Sequence, residues 1–428
     1  MQPWISSIRH VGRILPAAMF AALAAGCASD PSGPGGTPKL IDRLPRDLAA
    51  VEQEVIGASN RFAFDLLREA NAREQEHANV VLSPFSASMA LGMTMNGTAG
   101  DTYDQMQAML GFDGLSRDQV NASYRALLDM LLDLDPQVEL NIANSVWARE
   151  GMPFLQSFYD VVEQYFDADA RSLDFDRPDA GDVINAWVAE NTNDRIEQIV
   201  EQVDPYAMMF LINAVYFKAD WREQFKLADT RPAPFRRDDG TSVEVPMMSA
   251  RDMPVRLGSV DGVQIGELPY GGDAFTMVLV VPQEGASVAS LVSTLDADTW
   301  NRWVGSLGTL RDAPVSMPRY EVEWKGVLNE TLQALGMEDA FRDGIADFSL
   351  LAEQPFAREL FVREVVQKTW LRVDEEGTEA AAATSVGVGV TSMPLGLRVD
   401  RSFLMAIRER HSGTILFLGV IDDPSEQG

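Results

Sequence analysis

Apolar residues recur three and four apart through residues 48–72, which predicts an amphipathic helix, and again through residues 119–134 (QVNASYRALLDMLLDL). Between them Ser83 opens a more evenly apolar stretch, with Pro84 placed as at a helix start. Farther along the pattern shortens. Residues 140–148, 209–217, 275–281, 315–324 and 361–373 are apolar or alternating and rich in β-branched and aromatic side chains. The closing pair 403–407 and 414–420 reads the same way. Early helices, many later strands and few strict βαβ alternations predict an α+β domain built on large antiparallel or mixed sheets.

The N-terminus carries a different signal. Arg9 and Arg13 precede an apolar run at 14–25 and then Gly26-Cys27, which is the order of a secretory signal over residues 1–26. The run is too short to span a bilayer as a helix. The tract Leu23-Ala24-Ala25-Gly26-Cys27 resembles a bacterial lipoprotein signal, which implies that Cys27 is the lipidated first residue of the mature chain. The plainer alternative is ordinary cleavage that leaves Cys27 a free thiol. Residues 27–45 read as a flexible tether, because ASDPSGPGGTP cannot bury enough surface to fold. Residues 46–424 then form a single domain without internal repeats.

Composition narrows the function. The 428 residues hold 64 Asp and Glu against 35 Lys and Arg, a net charge of −29, which argues against nucleic-acid binding. One cysteine and three histidines leave no intramolecular disulfide and no cysteine-rich metal site. There is no G-x-S-x-G, no phosphate loop and no His-rich motif, so the expectation is a protein without catalytic residues, metal or cofactor.

Four segments then carry a resemblance. Asn79-Val80-Val81-Leu82-Ser83-Pro84-Phe85-Ser86, residues 213–221 (NAVYFKADW), residues 315–320 (VSMPRY) and residues 374–384 (DEEGTEAAAAT) resemble serpin motifs, in serpin order. The ending, 403–407 followed by 416–419, does so as well. The resemblance covers nearly everything after about residue 50. It implies the serpin fold, with helices around a large central sheet and an exposed reactive-centre loop at about 375–397. It also implies a suicide-substrate inhibitor of serine proteases: the target cuts the loop, becomes an acyl-enzyme, and is trapped as the loop inserts into the sheet. Insertion after cleavage requires a native state held behind a kinetic barrier. The alternative is a serpin-fold binding protein on the cell envelope that does not inhibit.

The residues of the loop suit such a transition. Read alone, the Ala-, Ser-, Gly- and Val-rich run after an acidic cluster is a flexible surface loop. From Thr378 to Thr391, however, there is no Pro, Lys or Arg, and Thr378, Ala380, Ala382, Thr384, Val386 and Val388 are all small or β-branched. One face of a central strand could bury them. Glu375, Gly377, Thr378 and Ala380, Ala381, Ala382 and Ala383 form the hinge by resemblance. Serpin spacing, counted fourteen residues after Gly377 and twelve before Phe403, puts the scissile bond between Thr391 and Ser392. The small, uncharged Val390-Thr391 pair fits elastase-like or subtilisin-like targets, with Val390 as second choice; the bond after Met393 leads into Pro394 and is disfavoured. Trapping of a thioester would extend the same action to cysteine proteases.

By resemblance, Ser83, Ser86, Asn213 and Gln367 line the polar shutter beneath the sheet, with Gln367 where the family commonly has histidine. Ordinary helix capping is the competing role for the serines. Glu375 and Arg319, near Trp221, stand where the family often pairs an acid and a base at the top of the sheet. An acidic helix at 119–134 implies no heparin activation. The partners expected are a protease and, through a lipid anchor, a membrane, for a monomer secreted to the periplasmic or extracellular face of a bacterial envelope.

Overall fold

A computed structural model describes residues 39–74, 78–204, 207–378 and 396–426. Nine helices among these residues are α1 (Ala50–Arg73), α2 (Pro84–Met95), α3 (Gly100–Met109), α4 (Arg117–Leu132), α5 (Gln156–Phe166), α6 (Ala180–Asn191), α7 (Val288–Ser293), α8 (Ala297–Gly305) and α9 (Asn329–Ala334). The strands are β1 (Val80–Leu82), β2 (Val138–Arg149), β3 (Asp169–Leu173), β4 (Met209–Asp220), β5 (Arg231–Arg236), β6 (Ser242–Val260), β7 (Val263–Pro269), β8 (Phe275–Pro282), β9 (Arg311–Pro318), β10 (Tyr320–Val327), β11 (Val366–Val373), β12 (Gly377–Thr378), β13 (Leu397–Arg398), β14 (Phe403–Glu409) and β15 (Ile415–Ile421). The α+β expectation holds.

The predicted helices begin where local chemistry satisfies their free amides. Ser116 and Gln119 exchange side-chain and backbone hydrogen bonds at the start of α4. At α1, Glu52 accepts from the Ala49 amide (2.7 Å) while Arg46 grips both of its carboxylate oxygens at 2.7 Å. Helix α2 has no polar stripe; almost every residue from Pro84 to Met95 is buried, because it lies between the two sheets, against β4 and β15.

One sheet runs β1-β15-β14-β8-β7-β6-β9-β13, with β5 joined to β6; the other runs β10-β11-β12-β4-β2-β3. Strands β8, β14 and β15 are buried along their whole length, which explains their largely apolar sequence. Strand β14 continues past the expected end at Ile407 because its last two charges are held: Arg408 donates to Glu267 from Nε at 3.1 Å, and Glu409 accepts from the amide of His411 at 2.7 Å. The strand expected over 315–324 is two strands. At Arg319, whose amide bonds to the Pro246 carbonyl (2.8 Å), the chain leaves the first sheet and enters the second. Likewise residues 361–365 are not strand; they wrap the start of α9, where Asn329 Oδ1 accepts from the Val365 amide (2.8 Å). Helix α6 and its apolar residues Ile184, Trp187 and Val188 cover the outer face of the six-stranded sheet through Trp147 and Ile212.

Asn79 ties β1 to the C-terminal end. Its Nδ2 donates to the Asp423 carbonyl (2.8 Å), and its Oδ1 accepts from the amides of Asp422 (2.9 Å) and Asp423 (3.0 Å). Asn79→Ala should lower the thermal-unfolding midpoint of the native form, the loss corresponding to about 2–3 kcal/mol for three buried hydrogen bonds. A midpoint within 1 °C or so of the parent would show that these bonds add nothing net.

Candidate functional site: a slot in the six-stranded sheet

Strands β4 and β11 run parallel to each other with β12 between their upper ends. Gly377 pairs with Asp220 and Thr378 with Ala219 on β4, and Thr378 pairs with Val373 on β11; both pairings are antiparallel. Below Thr378, among the described residues, no backbone ladder joins β4 to β11. A strand antiparallel to both neighbours would complete the hydrogen bonding of each, and its first register is already set. Gly377 is required for so close an approach, since a Cβ there would stand 2.1 Å from the Ala219 carbonyl oxygen. Thr378 turns inward, almost fully buried, and its hydroxyl meets Tyr270 Oη at 2.7 Å.

Beneath the slot lies a polar cluster in two halves. On the β4 side, Ser86 Oγ donates to Asn213 Oδ1, and Asn213 Nδ2 donates to Asn144 Oδ1 at 2.7 Å. On the β11 side, Gln367 receives the Ser83 amide (3.1 Å) and donates to the Ser83 carbonyl (3.0 Å), while Thr369 Oγ1 donates to the Val81 carbonyl (2.5 Å). All six side chains are buried. No hydrogen bond among the described residues joins Asn213 to Gln367, so each strand is tied to the start of α2 and neither is sewn to the other. Lower still, an apolar cavity opens between the strands, lined by Ala87 and Leu91 of α2, Met209 of β4, and Phe348, Leu360 and Val365.

The upper end is held by Trp221. Its amide donates to the Glu376 carbonyl (2.8 Å), its indole nitrogen donates to the Asp374 carbonyl (2.9 Å), and its ring stacks on Tyr270 at 4.5 Å and 10°. Glu375 is buried; Thr230 Oγ1 donates to its Oε1 at 2.6 Å, whereas Arg319 Nη1 stays 3.7 Å from its Oε2, an ion pair too long for a hydrogen bond. The threonine is therefore the closer hold on this acid.

A family profile described as "Serpin (serine protease inhibitor)" matches residues 57–424. The chain is a serpin. It is 33% identical over 385 residues to the leukocyte elastase inhibitor of Sus scrofa, covering 87% of this chain and 100% of that protein, and 32% identical over 366 residues to neuroserpin of Gallus gallus (82% and 87%). Among solved structures, the thermophilic serpin tengpin in its native state superposes with a TM-score of 0.77 at 28% identity, covering 90% of this chain and 97% of that one. Human thyroxine-binding globulin complexed with its hormone gives 0.78 at 27% (88% and 100%). Serpins are in general protease inhibitors and not catalysts.

In this serpin the structure brings Ser83, Ser86, Asn213 and Gln367 together, and separately Trp221, Arg319, Glu375, Gly377 and Thr378. Cys27, Ala380, Ala381, Ala382, Ala383, Thr391 and Ser392 lie outside the described residues. Asn144, Thr369, Tyr270 and Thr230 were not foreseen. Each is a single polar group in an apolar or mixed strand or loop, a weak signal that only its neighbours make meaningful.

Burial, and secondarily the carboxylate of Glu375, holds Asp374 above its ordinary range, against hydrogen bonds from the amides of Glu376 and Gly377 and the charge of Arg372. Glu376 is raised by burial, then by Asp374 and Asp220. The native form therefore binds these protons more tightly than the unfolded chain. Their stabilising contribution is fully present below the ordinary carboxyl pKa and is lost as pH rises through the raised native values. Asp374→Asn should raise the native thermal midpoint at neutral pH, and the gain should vanish on acidification into the ordinary carboxylate range. A gain that persists there would contradict the assignment.

Proposed function

We propose that this serpin is a suicide-substrate inhibitor of elastase-like or subtilisin-like serine proteases, anchored to a bacterial envelope through lipid on Cys27. The observation that carries the reading is the pairing of Gly377 and Thr378 inside a slot left open below them. Continuing that register down both neighbours brings Thr384 level with Asn213 on β4 and with Gln367 on β11, the same position from each side. Residues of even number share the inward face of Thr378, so Val386 and Val388 fall beside the apolar cavity. A small hydroxyl would meet the polar cluster and two valines the apolar space, a match of sequence to site along the whole slot.

Cleavage at Thr391-Ser392 frees the loop to take that path while the protease remains bound as an acyl-enzyme. Deacylation needs an oxyanion hole aligned to a fraction of an ångström, so dragging the protease against the body of the inhibitor stops it. The small Val390-Thr391 pair and the likeness to an elastase inhibitor support the target class. Mature Cys27, followed by the Gly/Pro/Ser tether, would hold a monomeric inhibitor at the envelope surface. The competing reading, a non-inhibitory serpin-fold binding protein, draws on the likeness to thyroxine-binding globulin.

Elastase or subtilisin mixed with the purified protein should give an SDS-stable complex and release a C-terminal fragment beginning at Ser392. Thr384→Arg, which forces a charge into the polar cluster, should abolish the complex while leaving the loop cleavable. Cleavage without complex by the unaltered protein would favour the binding reading. In a bacterial host, Cys27→Ser should move the protein from the membrane to the soluble fraction; unchanged fractionation would remove the lipid anchor.

A further inference from the structure

The apolar cavity below the polar cluster has one helical floor. Ala87, Ala90, Leu91 and Thr94 recur at helical spacing on one face of α2, and the two alanines leave room above the helix because each side chain ends at Cβ. One wall is β4 from Met209 to Asn213; the other is the chain from Arg363 to Gln367 of β11.

The polar groups of this lining are already engaged. Thr94 Oγ1 donates to the Ala90 carbonyl (2.9 Å), Asn213 Nδ2 donates to Asn144 Oδ1 (2.7 Å), and Gln367 bonds twice to the Ser83 backbone. A buried water needs about two to four polar partners, whereas an apolar cavity stays dry and takes apolar molecules. Length selects among such molecules. Ala87 and Thr94 lie seven residues apart on the helix, about 10 Å, and Met209 and Asn213 four apart on the strand, about 13 Å. An extended alkyl chain of about eight to ten carbons has that length.

The opening selects the head group. Arg363 and Glu364 are the exposed residues of the lining, so the mouth lies at their end, away from the buried Gln367. Arg363 Nη1 is paired with Asp204 Oδ2 at 2.7 Å. The mouth therefore holds two acids and one arginine, in a chain whose net charge is −29. A cationic head is attracted there and an anionic one repelled.

We propose that this cavity is a binding site for a single-chain cationic amphiphile, its alkyl chain lying along α2 between the walls and its ammonium head at Glu364. The buried methylenes supply the affinity, and the mouth supplies the preference for one sign of charge. The site belongs to the uncleaved protein and does not rest on the insertion reading; either can fail without the other.

Full-length protein is titrated by calorimetry with n-alkylamines of increasing length, at low salt and below their micelle concentrations. Binding should saturate at one molecule per chain, tighten about fourfold for each methylene up to about eight to ten carbons, and then level off. Affinity that keeps rising with length, as for adsorption to the acidic surface, would overturn the site. At equal length the amine should bind about threefold tighter than the alcohol and the carboxylate about threefold weaker. Glu364→Gln, at an exposed position, should narrow that spread and leave the alcohol unchanged; a spread it does not move would overturn the placement of the head. Ala90→Met fills the floor and should cut octylamine affinity at least about tenfold, with Ala87→Leu as the second filling variant. Absence of saturable binding in the unaltered protein, or parental affinity in a filling variant that keeps its native thermal midpoint, would overturn the proposal.

Discussion

The structure depends on one backbone constraint: among the described residues β4 and β11 are parallel neighbours without a ladder of their own, separated at the top by Gly377 and Thr378. In a central sheet, strand edges that face each other without a ladder leave donors and acceptors to be met by water or by another strand. A loop antiparallel to both could satisfy them all, and on the proposed insertion reading the present arrangement is a state held by kinetics. Everything else about the site concerns the row between these two strands and what would fill it.

Helix α2 lies beneath these two strands. It is buried on all sides between the sheets, and its start and the end of β1 before it are hydrogen-bonded to both flanking strands: Ser86 Oγ donates to Asn213 of β4, the Ser83 amide donates to Gln367 of β11, and the Val81 carbonyl accepts from Thr369 of β11. Each half is satisfied independently, so the strands can separate without leaving a buried polar group unpaired, the event that would cost most. Gln367 fits this division because its amide both donates to and accepts from the Ser83 backbone. At the top, Trp221 and Tyr270 take the opposite part and grip the hinge through its carbonyls and the Thr378 hydroxyl.

Much of this was legible in the residues, for identifiable reasons. Largely apolar strands such as β8, β14 and β15 announce themselves because both of their faces are buried. The inward turn of Thr378 follows from simple alternation. The break between β9 and β10 could not be read, since Val315 to Trp324 keeps its strand chemistry while the chain changes sheets at Arg319. Strand β6 was hidden for a different reason: it carries Pro246, Arg251, Asp252, Pro254 and Arg256, and the register of its pairing with β9 shifts between Ala250 and Met253. The motifs located Ser83, Ser86, Asn213 and Gln367, but the division of that cluster into two halves is a matter of tertiary geometry. Asn144 is not marked by any local pattern.

The central claim is that the open row is a strand position awaiting the loop. The most direct test is the thermal-unfolding midpoint before and after a single cut between Thr391 and Ser392 with the fragments kept together. Filling the row should raise the midpoint by tens of degrees, far beyond the 4–8 °C or so that 1 kcal/mol produces even in a small domain. A midpoint that stays the same or falls would show that the row is not the loop's destination.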